Sequence, residues 1–215
     1  MSSNNNKDGA VAGDTVLLFV DVERQMQEDV KYSTLLAQLS ASKKYSKASQ
    51  SFQWYAEYQS TLETLGWIAV KFAFVNIGDA KEKESADVVV LETAMSFLSR
   101  SGYDVFESGV KALKEQSEPR KILNHSAIDG KVADFRMGIC TNTGGNPSLQ
   151  LGYFHYSVSK DVDDAMFFKW GDGDVKFTQG NQTMVLNSSV YEQIRDPVIQ
   201  KLGPAIKEYI REIKL

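Results

Sequence analysis

The pattern of hydrophobic and polar positions changes its period near residue 124 and so divides the chain into two halves. Before this point, apolar residues recur at spacings of three and four, which is typical of helices with one buried face. After it, apolar and polar residues alternate, most regularly over residues 133–140, as they do in half-buried strands. The pattern predicts a helical first half and a strand-rich second half.

The clearest helix is predicted over residues 44–65, with Gly66 as its terminator. Two rows of side chains give it a broad apolar face. The main row comprises Tyr45, Ala48, Phe52, Tyr55, Gln59 and Leu62, and the second comprises Trp54, Tyr58, Thr61 and Leu65. Further helices are predicted over residues 85–100 and from Asp104 towards Pro119.

Two apolar runs in the first half have strand character. Residues 15–22 are rich in β-branched side chains and predict a short strand, with a helix starting near Asp21 as the alternative. Residues 67–77 are apolar on both alternating faces except at Lys71, which predicts a strand covered on both sides.

Short polar turns connect the strands predicted in the second half. These strands cover residues 149–159, 165–170, 175–179 and 182–186. The last two are predicted to form a hairpin with a tight turn at Gly180-Asn181, because Gly and Asn tolerate the positive φ of such turns. Connections this short favour antiparallel neighbours. The chain is predicted to end in helices, with a capping box at Ser189 and a last helix opened by Pro204.

The predicted fold class is α+β, with N-terminal and C-terminal helices packed on a mainly antiparallel β-meander. Residues 1–14 are rich in Ser, Asn, Gly and Asp, and are expected to form a flexible tail. Residues 15–215 are predicted to form a single α+β domain, with a possible subdomain change near residues 124–130.

Composition narrows the classes of function. The 215 residues carry a net charge of −4, so nucleic acid is not an expected partner. One cysteine excludes an internal disulfide, which fits a reducing compartment. The polar N-terminus lacks a cleavable secretory signal, and the apolar runs are too short for a transmembrane segment. A cytoplasmic location is expected, with export that needs no cleavable signal left open.

Asp21 and Glu23 follow the apolar run V-L-L-F-V, at a predicted strand end where many α/β enzymes place an acidic group. This short segment resembles the opening of isochorismatase-type hydrolases. The resemblance implies a catalytic role for Asp21, with Lys71 and Cys140 as candidates for the lysine and the cysteine nucleophile that the family also uses. The residues around those two do not match the family pattern. Capping of the following helix is the alternative role for Asp21.

Other polar residues give weaker signals for chemistry. Cys140 could be activated by His125 or His155, although their spacing does not show that they are close. Two histidines and one cysteine do not make a zinc site, and no cofactor is expected. The acidic loops at Asp161–Asp164 and Asp172–Asp174 do not match an EF-hand, so turn formation explains them better than calcium binding.

The strands predicted over residues 149–159 and 165–170 are apolar or aromatic on both faces. One face must meet the core, and the other is either covered by helices or forms a binding surface or groove. The candidate binding residues on these strands are Tyr153, His155, Phe167 and Trp170. The hypothesis is a non-catalytic binding or assembly protein with a protein partner or self-association. The alternatives are a small hydrolase using Asp21 and a membrane-active protein.

Overall fold

The structure, a computed structural model, describes residues 7–79, 84–171 and 174–215, and for residues 71–79 it describes the backbone alone. These ranges contain both strands and helices. The strands are β1 (Lys7–Ala12), β2 (Thr15–Val20), β3 (Trp67–Asp79), β4 (Ile128–Asp129), β5 (Val132–Thr143), β6 (Asn146–Val158), β7 (Val175–Leu186) and β8 (Ile210–Ile213). The helices are α1 (Arg24–Lys44), α2 (Ser51–Thr64), α3 (Ala86–Phe97), α4 (Arg100–Glu115), α5 (Ser117–Ala127), α6 (Ser188–Glu192), α7 (Arg195–Leu202) and α8 (Ala205–Tyr209).

The strands form one sheet in the order β3-β7-β6-β5-β2-β1-β8, with β4 paired to β5. Neighbouring strands are antiparallel except β2 and β5, which are parallel. A parallel pair needs a long crossover, and residues 21–131 supply one that carries α1 to α5. The predicted fold class, α+β with a mainly antiparallel sheet, is confirmed.

Helices cover both faces of the sheet. On one face, α3, α4 and α5 pack against the apolar phase of β5, which includes Phe135, Met137 and Ile139. On the other face, α1, α2, α6 and α7 pack against side chains such as Leu17, Phe19 and Leu151. Of the two possibilities for the second face of the meander, cover by helices is the one observed. A binding role for the residues of these strands stays a prediction.

The tight turn predicted at Gly180-Asn181 is wrong. Both residues lie inside the continuous strand β7, where Gly180 is opposite Phe74 of β3 on one side and Tyr153 of β6 on the other. Gly180 has no positive φ. Backbone pairing with two neighbouring strands outweighs the local turn preference of the Gly-Asn pair.

The prediction of a single helix over residues 44–65 is also wrong. The structure has two helices here, and residues 45–50 form the connection between α1 and α2. Phe52 of the predicted main row is 82% exposed, whereas Trp54 and Tyr58 of the second row are buried. The second row faces inward because the rings of Trp54 and Tyr58 stack on the guanidinium of Arg136, a residue of β5.

Three further predictions differ from the structure. Residues 7–12, which were expected to belong to the flexible tail, form β1 between β2 and β8. The prediction that residues 15–215 form a single domain stays a prediction. Residues 165–170 form a turn and an isolated bridge, because the Asp164 carboxylate accepts the amides of residues 166 and 167. Residues 210–213 extend as β8 because the edge of β1 is available to pair with them.

Some predictions fall outside the described residues. These are the tail over residues 1–6, part of the polar turn over residues 78–83, and Asp172 in the second acidic loop. Within the described ranges, no helix is long and apolar enough to cross a bilayer.

Candidate functional site

A buried ionic network lies on the sheet face beneath α2, and Arg136 of β5 is at its centre. Arg136 is fully buried and donates one hydrogen bond to Asp14 Oδ1, a second to Asp134 Oδ1 at 3.0 Å and a third to the Tyr153 hydroxyl at 2.8 Å. Strand geometry explains the grouping, because residues 134 and 136 share one face of β5 and Tyr153 is opposite Arg136 on β6.

Three aromatic rings enclose the Arg136 guanidinium. Its central carbon is 4.4 Å from the ring centroid of Trp54, 4.8 Å from that of Tyr58 and 4.5 Å from that of Tyr153. Two of these rings belong to α2 and one belongs to the sheet. Because the negative face of an aromatic ring attracts a cation, and more strongly in a dry site, Arg136 fastens α2 to the sheet.

Lys47 connects the network to the surface. Its ammonium group donates to Asp14 and, at 3.0 Å, to the carbonyl oxygen of residue 126, and it lies 4.8 Å from the Trp54 ring centroid. On one side of Lys47 is a cleft of about 180 Å³, lined in part by His125 and Tyr209. On the other side, a cleft of about 290 Å³ reaches Asp134.

The charges of the network balance one another. Burial alone would raise the pKa of Asp134, but the Arg136 guanidinium and the hydrogen bond with His155 outweigh burial and lower that pKa. Burial raises the pKa values of Tyr58 and Tyr153, so both phenols are protonated at neutral pH. Two carboxylates therefore face two cations, Arg136 and Lys47, and the phenols remain neutral.

His155 forms the outer end of the network. Its Nδ1 lies 3.1 Å from Asp134 Oδ2, and its side chain is 26% exposed. A carboxylate that orients a histidine is one half of a nucleophilic site. Cys140, the nucleophile proposed from sequence, is fully buried further along β5, and burial raises the pKa of its thiol to about 12. The thiol is therefore protonated at neutral pH and unsuited to attack.

The residues of the hydrolase hypothesis are only partly brought together. Asp21 follows β2, and Cys140 on the parallel strand β5 is opposite Phe19, so the two occupy neighbouring strand ends. Lys71 lies on β3, which β7 and β6 separate from β5. Asp21 is exposed with φ of 53°, and Glu23 occupies the N-cap of α1 without a side-chain capping bond. The N-cap residue of α1 is therefore Glu23 and not Asp21.

The four binding residues proposed from sequence lie on opposite sides of the sheet. Tyr153 and His155 belong to the network face. Trp170 is buried on the other face, where its ring centroid is 6.0 Å from that of Tyr156. Phe167 packs at the border of that face, 5.5 Å from the ammonium group of Lys114. The structure does not unite these four residues in one surface, and a binding role for them stays a prediction.

Metal ligands do not converge in the part of the chain that the structure describes, since it contains no group of three or more His, Cys, Asp or Glu side chains placed to hold an ion. Asp164 of the first acidic loop is used in turn formation. Its carboxylate accepts two backbone amides and lies 3.3 Å from Arg120.

Five large apolar side chains are exposed on β3 and on helices α2 and α3, which cover opposite faces of the sheet. They lie on β3, on α2, which contacts β3, and on α3, which is bonded through Thr93 to β7, the neighbour of β3. We call this set the β3 margin, and it comprises Phe52, Ile68, Val70, Val88 and Met95. Ile68, Val70 and Met95 are 57%, 66% and 58% exposed, respectively.

The other end of the sheet is charged. The short strand β8 ends it, and a cleft of about 640 Å³ there is lined by Lys7, Asp8, Lys31, Glu212 and other residues. Lys31 and Glu212 form an ion pair at 2.8 Å. The two ends of the sheet therefore differ in kind, one with exposed apolar groups and the other with paired charges.

Sequence reasoning missed the network and the β3 margin. Asp134 and Arg136 lie on the polar phase of a strand, which is ordinarily read as solvated. Asp14 lies in the predicted tail, and Lys47 lies in the helix predicted over residues 44–65. One usable signal was the arginine between the two apolar residues Phe135 and Met137, because an arginine in the middle of a long strand needs a carboxylate partner if that strand is covered.

The fold defines an α+β protein with a mostly antiparallel sheet between two helical layers. No model of a known protein family matches the chain, and no curated protein matches it. The chain is similar in structure to the activated Cyt2Ba monomer from Bacillus thuringiensis subsp. israelensis, with a TM-score of 0.44 and 10% identity over 81% of this chain and 97% of that one. It is also similar to the Evf virulence factor, with a TM-score of 0.29 and 11% identity over 93% of this chain and 82% of that one. Neither likeness carries an argument about function.

Proposed function

We propose that this chain is a non-catalytic assembly protein that self-associates through the β3 margin. The observation that carries the proposal is the exposure of Ile68 and Val70, which lie two residues apart on β3 and are 57% and 66% exposed. Clustered exposed apolar groups mark contact surfaces, because water favours their burial against a partner. A surface of this kind suits a second copy, since apolar side chains meet like side chains across a twofold axis.

The backbone of β3 supports the same assignment. Within the described residues, β3 is thirteen residues long and pairs with β7 alone, which leaves one row of amides and carbonyls at the edge of the sheet. Such an edge can accept a strand from another molecule. The register with β7 shifts between residues 69 and 71 and again between residues 76 and 78. These bulges interrupt a long ladder, so side-chain burial near residues 68–70 is expected to supply most of the contact.

The ionic network supports a non-catalytic role. Its two carboxylates are bonded to Arg136 and Lys47, and the thiol nominated as a nucleophile is protonated. Arg136 is enclosed by rings that belong to the protein itself. Arg136 therefore serves to hold helix α2 on the sheet. A general base or nucleophile would instead need to reach a substrate.

Sedimentation equilibrium across a dilution series tests the proposal. The wild-type mass is expected to rise above the monomer mass of 24.0 kDa as concentration increases. The variant carrying both Ile68→Lys and Val70→Lys is expected to remain at the monomer mass, because each lysine resists transfer out of water. The matched control is Ile199→Lys on α7, an exposed apolar residue outside the β3 margin, and it should associate like wild type.

Two results would overturn the proposal. One is a wild-type protein that stays at 24.0 kDa at every concentration. The other is a double-lysine variant that still associates. Co-sedimentation with phosphatidylcholine and phosphatidylserine vesicles, together with leakage of a trapped dye, tests the membrane-active alternative from the sequence. A wild-type monomer that releases the dye, when the double-lysine variant does not, would favour that alternative over self-assembly.

A further inference from the structure

The two helical layers cover different lengths of the long strands. On the face beneath α3, α4 and α5, the apolar cluster takes its members from residues 154–158 of β6 and 175–177 of β7. On the opposite face, the cluster beneath α1 and α2 takes its members from residues 149–151 of β6 and 184–186 of β7. The two layers are therefore offset along the strands, and the first layer leaves the end near the turn between β5 and β6 uncovered.

Side chains at that end alternate in burial, as they do where only one face of a sheet is covered. Ser148 and Gln150 of β6 are half-buried, whereas Leu149 between them is fully buried on the opposite face. We call the half-buried and exposed residues of this uncovered area the sheet corner, and it comprises Thr141, Ser148, Gln150, Thr183 and Val185. The backbone register joins them, because Thr141 is opposite Ser148 and Ser148 is opposite Val185.

The sheet corner is continuous with the β3 margin. Val185 is opposite Ile68 of β3, which belongs to the β3 margin and is 57% exposed. One row of side chains therefore runs across four strands, from Thr141 on β5 to Ile68 on β3. Helix α3 borders the corner at Gly152, where an added Cβ would lie 3.2 Å from the Phe97 ring. A partner that covers Ile68 would therefore lie beside the corner as well.

The side chains of the corner are uncharged, and this favours a second copy of the chain over a charged partner. Hydroxyl and amide groups both donate and accept hydrogen bonds, so Ser148, Gln150 and Thr183 can pair with the same groups of an identical surface. Such self-complementarity is what a twofold contact needs, whereas a surface with charges of one sign repels its own copy. Lys71 of β3 is opposite Thr183, which places one charged residue at the border of the corner.

The size of the corner determines how strong the contact is expected to be. Neighbouring strands lie about 4.8 Å apart and rise about 3.4 Å per residue, so the corner covers roughly 300 Å². A standard interface buries about 800 Å² on each partner. The corner alone is therefore too small for a stable contact, and Ile68 and Val70 are needed beside it. Association should accordingly be reversible and should depend on concentration.

We propose that the second copy docks on the sheet corner, so that the contact runs from the β3 margin onto the uncovered face of β5, β6 and β7. The inference rests on the proposed self-association and names the face that the partner covers. Sheets that pack face to face lie about 10 Å apart, a distance at which the side chains of two corners are in contact.

Sedimentation equilibrium of two matched variants tests this docking. Thr183→Lys places a charge in the corner, where a second copy removes it from water, and should raise the dissociation constant at least about tenfold. Thr178→Lys is the control, because Thr178 is also a half-buried residue of β7 but lies on the other face, opposite His155. Both variants change the net charge equally, and Thr178→Lys should associate like wild type.

Thiol labelling of Ser148→Cys measures the same contact without an added charge. The native Cys140 is fully buried, so the new thiol reacts in the folded chain, and reaction of Cys140 would report unfolding. The labelling rate at position 148 should fall several-fold between dilute protein and protein that sediments as a complex. Ser108→Cys, on the exposed side of α4, should be labelled at the same rate under both conditions.

Three results would overturn the inference and leave self-association through Ile68 and Val70 standing. In the first, Thr183→Lys associates as tightly as wild type. In the second, Ser148→Cys is labelled equally fast in monomer and complex. In the third, Thr178→Lys weakens association as much as Thr183→Lys does, so that the added charge and not the corner is responsible. A wild-type protein that stays a monomer would instead remove the proposed function itself, and the inference with it.

Discussion

The two faces of the sheet are both covered by helices, but they are packed in different ways. The face beneath α3, α4 and α5 is mainly apolar, with rings such as Phe135 and Phe154 stacked at 5.3 Å. The face beneath α1 and α2 contains the buried charged residues Asp14, Asp134 and Arg136. Substitutions at apolar sites that do not touch one another add in their effects on stability. Charged groups in a dry layer stabilise the fold only as a complete set.

This difference also bears on function. Because helices cover most of both faces, the proposed contact surface lies at an end of the sheet. The β3 margin exposes apolar groups, whereas the β8 end carries paired charges such as Lys31 and Glu212. The two ends of the same sheet therefore differ in the kind of side chain that they expose.

The largest effect is expected on the apolar face. Phe135→Ala removes a fully buried ring and leaves a cavity between β5 and the helices above it. The free energy of unfolding should fall by about 3–5 kcal/mol, as measured by denaturant titration. A loss below about 1 kcal/mol would mean that this face repacks freely and is not the close-packed one.

A smaller, pH-dependent effect is expected on the charged face. The pKa of Asp134 is lowered in the folded protein, so its contribution to stability is fully present above the ordinary aspartate pKa. That contribution is lost as pH falls through the lowered pKa, because the folded state then binds the proton that the unfolded state already holds.

Asp134→Asn provides the measurement for this effect. At neutral pH the variant should be less stable by about 1.5–3 kcal/mol, since a hydrogen bond to a charged group is lost. The difference between wild type and variant should shrink as the pH falls below about 4. A difference that stays constant down to the acid transition would show that the carboxylate is not held ionised by Arg136.

The sequence predicted the fold class and strands β2, β3, β5 and β6, because alternation over residues 133–140 and runs of β-branched and aromatic residues elsewhere are typical of strands. The alternation did not show which residues of β5 are buried, since helices on both faces bury both phases of residues 133–140. The sequence did not predict the ionic network, because Asp14, Lys47 and Arg136 are far apart along the chain and meet only after the sheet has formed. It also misplaced a turn at Gly180. A preference for a local turn is weak beside pairing with a strand on each side.

The smallest effect is expected from an exposed ion pair on the apolar side of the molecule. Lys111 and Glu107 of α4 pair at 3.0 Å, with Lys111 69% exposed. Lys111→Ala should change the free energy of unfolding by no more than about 0.5 kcal/mol, measured at low and high salt. A loss comparable to that of Asp134→Asn would contradict the distinction between buried and exposed charge pairs.

The most direct test of the central claim compares the unfolding free energies of Arg136→Met and of the triple variant Arg136→Met, Asp14→Asn, Asp134→Asn. Removing the arginine alone leaves two buried carboxylates without their main cation and should cost about 3–5 kcal/mol. Because the triple variant also removes those carboxylates, we expect it to be more stable than the single variant. A triple variant that is less stable than the single variant would contradict the claim that these charges stabilise the fold only as a set.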